Sequence, residues 1–345
     1  MKRSLLLAAV AVTAVAALTG CASGASAPAA STPAALSGAI TVYNAQHEEL
    51  TQAWADAFTA DTGVTVTLRN GSDTELSNQI VQEGSASPAD VFITENSPAM
   101  TQVDNAGLFA PVDSSTLAAV PTPYVPGTGN WTGVAARATV IVYNPSLISE
   151  ADLPASIMDL QNPEWKGRWA ASPTGADFQA IVSAILAEKG ADATAAWLAG
   201  MKQNSVAYKG NSTVMKAVNA GEIPMGVIYH YYWYIDQSKT GENSKNTKLH
   251  FLKNEDPGAF VSVSGGGVLA SSKNPAAAQA FLAYVTGTGG QGILRDGTSF
   301  EYAIASGVPA NPALPPLDTL QAPKIDPASL NGPQVVTLMT QAGLL

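Results

Sequence analysis

The sequence contains a single cysteine, Cys21, in 345 residues, so no intramolecular disulfide bond can form. It also lacks the local patterns that mark common hydrolases, since neither G-x-S-x-G nor H-E-x-x-H occurs. Positive charge is scarce, because 17 Lys and Arg stand against 27 Asp and Glu and give a net charge of −10. An acidic chain of this kind disfavours nucleic acid as a partner. These absences argue against an enzyme and against a nucleic-acid-binding protein.

The first twenty residues have the pattern of a signal peptide. Lys2 and Arg3 precede an apolar stretch at 5–18, which small residues follow. The stretch is short for a retained transmembrane helix. The tetrad LTGC at 18–21 resembles the lipobox of bacterial lipoproteins, in which the cysteine becomes the lipidated N-terminus. We therefore expect removal of residues 1–20 and a lipid anchor at Cys21, on the outer face of the cytoplasmic membrane.

The segment that follows the cysteine is predicted to be a flexible tether. Residues 21–38 are small, uncharged and rich in Ala, Ser and Pro, a composition that cannot form a packed core. The folded part is expected to begin near Ala39. The remaining residues, 39–345, are numerous enough to favour two lobes over a single core.

Short β-type runs are repeatedly followed by polar residues and then by a helical pattern. The five clearest runs lie at 39–43, 90–93, 168–172, 206–208 and 224–228. Strands that alternate with helices predict mostly parallel sheets with helices on both faces. Ligands of such sheets bind beyond the carboxyl ends of the strands, which is where all five polar junctions lie. A ligand site is therefore expected at these junctions.

The last junction contains YHYYWY at 229–234, with Tyr231 and Tyr232 adjacent. Deprotonated phenols are hard donors, which suit a small and highly charged metal ion. Both side chains can face one cleft only where the backbone is irregular, at the strand end or in the first helical turn. Packing of the rings in an apolar core is the alternative explanation.

The other junctions carry further candidate donors. His47 follows the run at 39–43 and Glu95 follows the run at 90–93, and each is also explained as an ordinary residue at a helix start. Together with His230 they would also suit zinc, which is the natural competitor. Thr174-Gly175-Ala176 and Asn211-Ser212 open two later helices, whose free N–H groups either bind an anion or are simply capped.

Several of these segments resemble the periplasmic ferric-ion-binding proteins, which are the substrate-binding components of iron(III) ABC importers. They are ITVYNAQHEE at 40–49, ADVFITE at 89–95, NPEWKGR at 162–168, YYWY at 231–234 and DPGA at 256–259. The resemblance implies an α/β, two-lobed periplasmic-binding-protein fold, type II-like, with two mostly parallel sheets flanked by helices and a two-strand hinge. The expected N-lobe comprises 39–137 with 264–305, and the C-lobe comprises 138–263 with 306–345.

The resemblance also assigns roles to individual residues. It implies Fe(III) as the ligand, bound by His47, Glu95, Tyr231 and Tyr232. A synergistic anion, phosphate or carbonate, is expected to rest on Asn96, Thr174, Gly175, Ala176 and Asn211. His230 stands where family members often have asparagine, and we include it in the anion site. The protein is expected to be a monomer that delivers iron to the permease and ATPase subunits of an importer.

Two other functions stay open. A related receptor for a polyamine, thiamine or another metal would share most of these features. An exported hydrolase that uses Glu95 and a histidine is disfavoured, since Asp177 is the one further carboxylate near Gly175 and has no evident partner. The β-type runs at 139–143 and 260–263 suit two crossings between the lobes, and the glycines at 265–267 indicate either a hinge or close strand packing.

Overall fold

The computed structural model describes residues 36–345, so the expectations for the signal peptide and for Cys21 lie outside the described residues. The strands are β1 (Ala39–Asn44), β2 (Thr65–Asn70), β3 (Val91–Ile93), β4 (Thr132–Tyr143), β5 (Trp169–Ala171), β6 (Ser205–Ala207), β7 (Met225–Tyr229), β8 (Lys248–His250) and β9 (Val261–Val268). The α-helices are α1 (Glu48–Thr62), α2 (Asp73–Glu83), α3 (Ser97–Asn105), α4 (Ser114–Ala119), α5 (Ala176–Asn204), α6 (Asn211–Ala220), α7 (His230–Lys239), α8 (Pro275–Thr286), α9 (Thr288–Asp296) and α10 (Gly332–Gln341). Within 36–345, none of the helices combines the length and the apolar character that a membrane crossing requires.

Local sequence signals account for most helix ends. The hydroxyl of Ser72 accepts a 3.2 Å hydrogen bond from the Glu75 backbone N–H and caps α2, as the Ser-x-x-Glu spacing predicts. Gly63 ends α1 in the left-handed conformation, which glycine adopts without strain. Helix α5 kinks at Gly190, which has a φ of 78°, and then continues to Asn204.

The strands form one mixed sheet, and the expectation of two mostly parallel sheets was wrong. Their order is β2-β1-β3-β9-β4-β7-β5-β6, and β8 also pairs with β4. The pairings at both ends of the sheet are parallel, whereas β4 and β9 in the middle are antiparallel to each of their neighbours.

The length of β4 explains this continuous sheet. Its twelve residues extend about 40 Å at the usual rise per residue. The first part, residues 132–138, pairs with β9, and the second part, 139–143, pairs with β7 and β8. A single strand thereby joins the two halves of the sheet, which the sequence analysis predicts as separate sheets. The crossings predicted at 139–143 and 260–263 lie within β4 and at the start of β9.

Close packing explains the three consecutive glycines of β9. A Cβ atom on Gly265 would lie 2.3 Å from Met100 Cγ, which belongs to α3. A Cβ atom on Gly266 would lie 2.7 Å from Leu282 Cδ1 of α8, and one on Gly267 would lie 2.7 Å from a ring carbon of Phe109. The glycines therefore allow side chains on both faces to approach the strand backbone.

Candidate functional site

The predicted donors lie at the carboxyl ends of their strands. His47 immediately precedes α1, and Glu95 lies in the short connection from β3 to α3. Tyr231 and Tyr232 occupy the first turn of α7, directly after β7. Their rings stack with centroids 4.2 Å apart, so the change from strand to helix directs both phenols to the same side. The Tyr231 ring also contacts the His47 ring edge-on at 5.1 Å.

Asp177 lies at the centre of these side chains and was missed as a site residue. Its Oδ2 atom accepts hydrogen bonds from Tyr231 Oη at 3.2 Å, from Tyr232 Oη at 2.9 Å and from Asn211 Nδ2 at 2.8 Å. Its Oδ1 atom accepts a further hydrogen bond from Asn96 Nδ2 at 3.1 Å. No partner for Asp177 is evident from the sequence, because all four donors come from distant segments. Its position in the first turn of α5 was the only local signal.

The residues of the predicted anion site divide into two groups. Asn96 and Asn211 both bind the Asp177 carboxylate, as described above. Gly175 and Ala176 form the start of α5, and Thr174 is exposed in the loop before it. A carboxylate of the chain itself therefore lies where we had expected an external anion.

The structure does not bring His230 into this cluster. Its Nδ1 atom accepts a 3.1 Å hydrogen bond from the Ala138 backbone N–H in β4. Its ring stacks on Tyr302 with centroids 4.9 Å apart, and the side chain is fully buried. Burial disfavours the imidazolium form and lowers the pKa of His230 to about 4. The geometry thus gives His230 a packing role and no support for a place in the anion site.

A second buried network adjoins the cluster on the side of β1, and sequence reasoning missed it as well. Arg137 in β4 and Glu301 are both fully buried, and Arg137 Nη2 lies 2.9 Å from Glu301 Oε1. His47 Nε2 lies 3.0 Å from the same oxygen, and His47 Nδ1 lies 3.6 Å from Glu95 Oε1. Arg137 also donates to the backbone carbonyl of Glu95. The residues of this network are too distant in sequence for any local pattern to reveal it.

Asp73, in the first turn of α2, is a further buried acid beside the cluster. It accepts hydrogen bonds from the Glu95 backbone N–H at 2.9 Å and from Asn96 Nδ2 at 3.1 Å. A cavity of about 320 Å³ reaches Asp73 and Asn96 from between α2, α3, α5 and α10.

Burial and neighbouring charge strongly change the acidity of these groups. Burial, followed by the negative charge of Asp177, raises the pKa of Glu95 to about 8. Burial likewise raises the pKa of Asp73 to about 7. Burial also disfavours ionised Glu301, but Arg137 and His47 outweigh this effect and hold its pKa at about 2. Near neutral pH the site therefore contains Glu95 mainly in its protonated form beside the firmly ionised carboxylate of Glu301.

The phenols are held in the protonated form in the absence of a cation. Burial raises the pKa of both Tyr231 and Tyr232 well above the usual value of 10.0, and the negative charges of Asp177 and Glu95 add to this rise. A bound cation reverses that effect, since a metal favours the deprotonated ligand. Among residues 36–345, His, Cys, Asp and Glu side chains do not by themselves group as a metal site.

Comparisons with known proteins agree with this chemistry. Residues 86–329 match the model of the family described as bacterial extracellular solute-binding protein. The chain is 65% identical over 306 residues to an Fe(3+)-binding periplasmic protein of Serratia marcescens, covering 89% of this chain and 90% of the relative. It is 38% identical to a major ferric iron-binding protein of Neisseria meningitidis serogroup B, covering 88% of this chain and 93% of the relative.

Solved structures show the same fold. Iron-bound HitA from Pseudomonas aeruginosa superposes with a TM-score of 0.83 at 42% identity, covering 89% of this chain and 99% of that one. A Trichodesmium protein solved in complex with iron and citrate ligands gives a TM-score of 0.77 at 27% identity, covering 89% of this chain and all of the other. The family is one of solute-binding proteins and not of enzymes. The chain belongs to the ferric iron-binding periplasmic proteins within the bacterial extracellular solute-binding protein family.

Proposed function

We propose that the protein binds Fe(III) at this cluster through His47, Glu95, Tyr231 and Tyr232, with the carboxylate of Asp177 in the place of an external anion. The observation that carries this proposal is the convergence of both phenols on the Asp177 Oδ2 atom, 3.2 and 2.9 Å away. His47 and Glu95 lie beside the same phenols. Relatives of this chain carry ferric iron in their names, which supports iron as the metal.

The chemistry of the donors favours a trivalent ion. Phenolate and carboxylate oxygens are hard donors, which small and highly charged cations prefer. Two tyrosinates, Glu95 and Asp177 carry four negative charges, and neutral His47 adds none. A trivalent ion leaves one net negative charge on this set, whereas a divalent ion such as zinc leaves two in a buried site.

The cost of deprotonating the phenols also favours a strongly Lewis-acidic metal ion. An ordinary phenol requires about 4 kcal/mol to ionise at pH 7, and the raised pKa of these tyrosines increases that cost. A strong Lewis acid can offset it, so binding is accompanied by proton release. A polyamine or thiamine would leave both phenols protonated.

Asp177 offers a local alternative to phosphate or carbonate. Its carboxylate already receives the amide N–H groups of Asn96 and Asn211, which we had assigned to the external anion. An anion that is part of the chain is always present at the site. We therefore propose that iron binding needs no added phosphate or carbonate.

The remaining steps follow from the family. The two crossing strands β4 and β9 would act as the hinge when the iron is enclosed. The closed form would deliver iron to the permease and ATPase subunits of an ABC importer. Lipidation of Cys21 would keep the protein at the outer face of the cytoplasmic membrane.

Visible absorption tests the proposed function directly. Iron(III) bound to tyrosinate absorbs visible light, so the wild-type protein should become coloured when Fe(III) is added. The double variant Tyr231→Phe/Tyr232→Phe should remain colourless. Tyr208→Phe serves as the control, because Tyr208 directly follows β6 and its phenol donates to the exposed Glu222. A colourless wild-type protein after Fe(III) addition would refute iron binding by the phenols.

A further inference from the structure

The Glu301 carboxylate contacts the side chains of two neighbouring residues, Gln46 and His47. The Glu301 Oε2 atom accepts a 3.0 Å hydrogen bond from Gln46 Nε2. Gln46 Oε1 in turn accepts a 2.7 Å hydrogen bond from the His47 backbone N–H. One side chain, Gln46, therefore fixes both the backbone of His47 and the carboxylate that faces its ring.

The imidazole and Glu301 are arranged to pair. His47 Nε2 and Glu301 Oε1 lie 3.0 Å apart and are both fully buried. Among residues 36–345, His47 Nε2 has no other hydrogen-bond partner, whereas Glu301 Oε1 also lies 2.9 Å from Arg137 Nη2. A buried polar atom without a hydrogen bond is costly, so donation to Glu301 Oε1 is the favoured way to satisfy His47 Nε2.

The backbone around Glu301 is held in an unusual conformation that keeps this carboxylate in place. Phe300, directly before it, has a φ of 53°, which a bulky residue adopts only under strain. Tyr302, directly after it, exchanges two backbone hydrogen bonds with Ala136 of β4, at 2.8 and 3.1 Å. The strained residue and the anchored residue together direct the Glu301 side chain into the site.

We propose that Glu301 is a positioning residue that holds His47 in the tautomer protonated at Nε2, so that the Nδ1 lone pair is the atom offered to the metal. This inference rests on the proposed function. His47 Nδ1 is the ring nitrogen that faces Glu95, with 3.6 Å between Nδ1 and Oε1. Two ligands of one metal ion are separated by about this distance when each lies near 2.1 Å from the metal. Carboxylates that accept the second N–H of a metal-bound histidine act in this way in many metal sites.

A purely structural role for Glu301 predicts different behaviour. If Glu301 only neutralised Arg137, which lies 2.9 Å away, its loss would weaken iron binding whether or not His47 were present. If Glu301 acts through the imidazole, the two residues must be coupled in metal binding.

The test is ¹⁵N NMR of the histidine side chains in the wild-type protein, which avoids any variant that fails to fold. The chain has three histidines, and His47→Gln identifies the His47 signals. At pH about 9, where imidazole is neutral, metal-free protein should show His47 protonated at Nε2. Addition of Ga(III), a diamagnetic trivalent ion, should shift the Nδ1 resonance while Nε2 keeps its proton.

Affinity measurements complete the experiment. Glu301→Gln should weaken Ga(III) binding about tenfold or more in the wild-type background but change it little in His47→Gln. The exposed Glu164→Gln is the matched control and should change neither. Protonation of metal-free His47 at Nδ1, a metal-induced shift at Nε2, or additive effects of the two substitutions would overturn the role of Glu301. Absence of any Ga(III) and Fe(III) binding would instead refute the proposed function.

Discussion

The phenol of Tyr232 donates a 2.9 Å hydrogen bond to the Oδ2 atom of Asp177, a residue 55 positions earlier in the chain. The same oxygen also accepts from Tyr231, so one carboxylate organises both phenols. In a metal-free protein this arrangement keeps the oxygen atoms of three donors close together before the metal arrives. Preorganisation of this kind reduces the cost of assembling a metal site.

Asp177 should determine whether iron binding depends on added anion. Wild-type protein is expected to bind Fe(III) equally well in buffer free of phosphate and carbonate. Asp177→Asn keeps the shape but removes the charge, so its affinity without added anion should fall about tenfold to 100-fold, or about 1.4–2.8 kcal/mol. Added phosphate should restore part of this loss.

Competition titrations against a chelator, with and without phosphate, measure this effect. Asp192→Asn, at an exposed position, is the matched control and should behave like the wild type. A wild-type protein that binds iron only when phosphate or carbonate is present would contradict the role of Asp177.

Metal binding should release protons from Glu95 as well as from the phenols. Because the pKa of Glu95 is about 8, this acid is mostly protonated at pH 7. Binding at pH 7 should therefore release at least about three protons, which gives the logarithm of affinity a slope of about three per pH unit. Above pH 9 the slope should decrease to about two, and at pH 7 the slope for Glu95→Gln should be lower by about one than that of the wild type. A slope of zero in the wild type would show that the phenols do not ionise.

The metal-free protein should lose stability as the pH rises from about 5 to 9. The pKa values of Glu95 and Asp73, about 8 and about 7, lie above their ordinary values of 4.5 and 3.8. The folded state therefore binds more protons than the unfolded state across this window, and its stability decreases as both acids ionise. Glu301, with its lowered pKa, loses its contribution only under more acidic conditions.

Thermal unfolding of metal-free protein measures this dependence. We expect Tm to fall by several degrees between pH 5 and pH 9, and Glu95→Gln should reduce the fall. A Tm that rises steadily across the same range would contradict the assignment of two buried, protonated acids.

The packing of β9 predicts a clear difference between two glycine substitutions. In Gly265→Ala the new methyl group meets Met100 Cγ at 2.3 Å, so the free energy of unfolding should fall by about 1–3 kcal/mol. Gly292 lies within α9, where a Cβ atom meets nothing within 4 Å. Gly292→Ala should raise stability by up to about 1 kcal/mol. Urea unfolding distinguishes the two, and equal effects would contradict the packing explanation.

The sequence predicted the parts of the fold that depend on local signals. The alternation of strands and helices, the Ser72 cap and the positions of His47, Glu95 and Tyr231 at strand ends follow from hydrophobic spacing and helix-start residues. Each of these features is set by residues close in the chain. Such features are the ones that sequence patterns describe well.

The sequence did not predict the features that depend on distant contacts. Asp177 acquires its partners from three other segments, and Glu301 meets His47 across 254 positions. The single mixed sheet arises because β4 continues through both halves, which no local pattern reveals. His230 lies next to the tyrosines in sequence, but the first turn of α7 directs it to Tyr302 instead.

The most direct test is a crystal structure of the protein loaded with Fe(III) in buffer free of phosphate and carbonate, with iron located by anomalous scattering. We expect one iron bound by His47, Glu95, Tyr231 and Tyr232, with an oxygen of Asp177 also bound to the metal or directly beside it. Iron held at another site, or iron at this site with Asp177 turned away and a solute anion in its place, would contradict iron binding at this cluster with Asp177 as the anion.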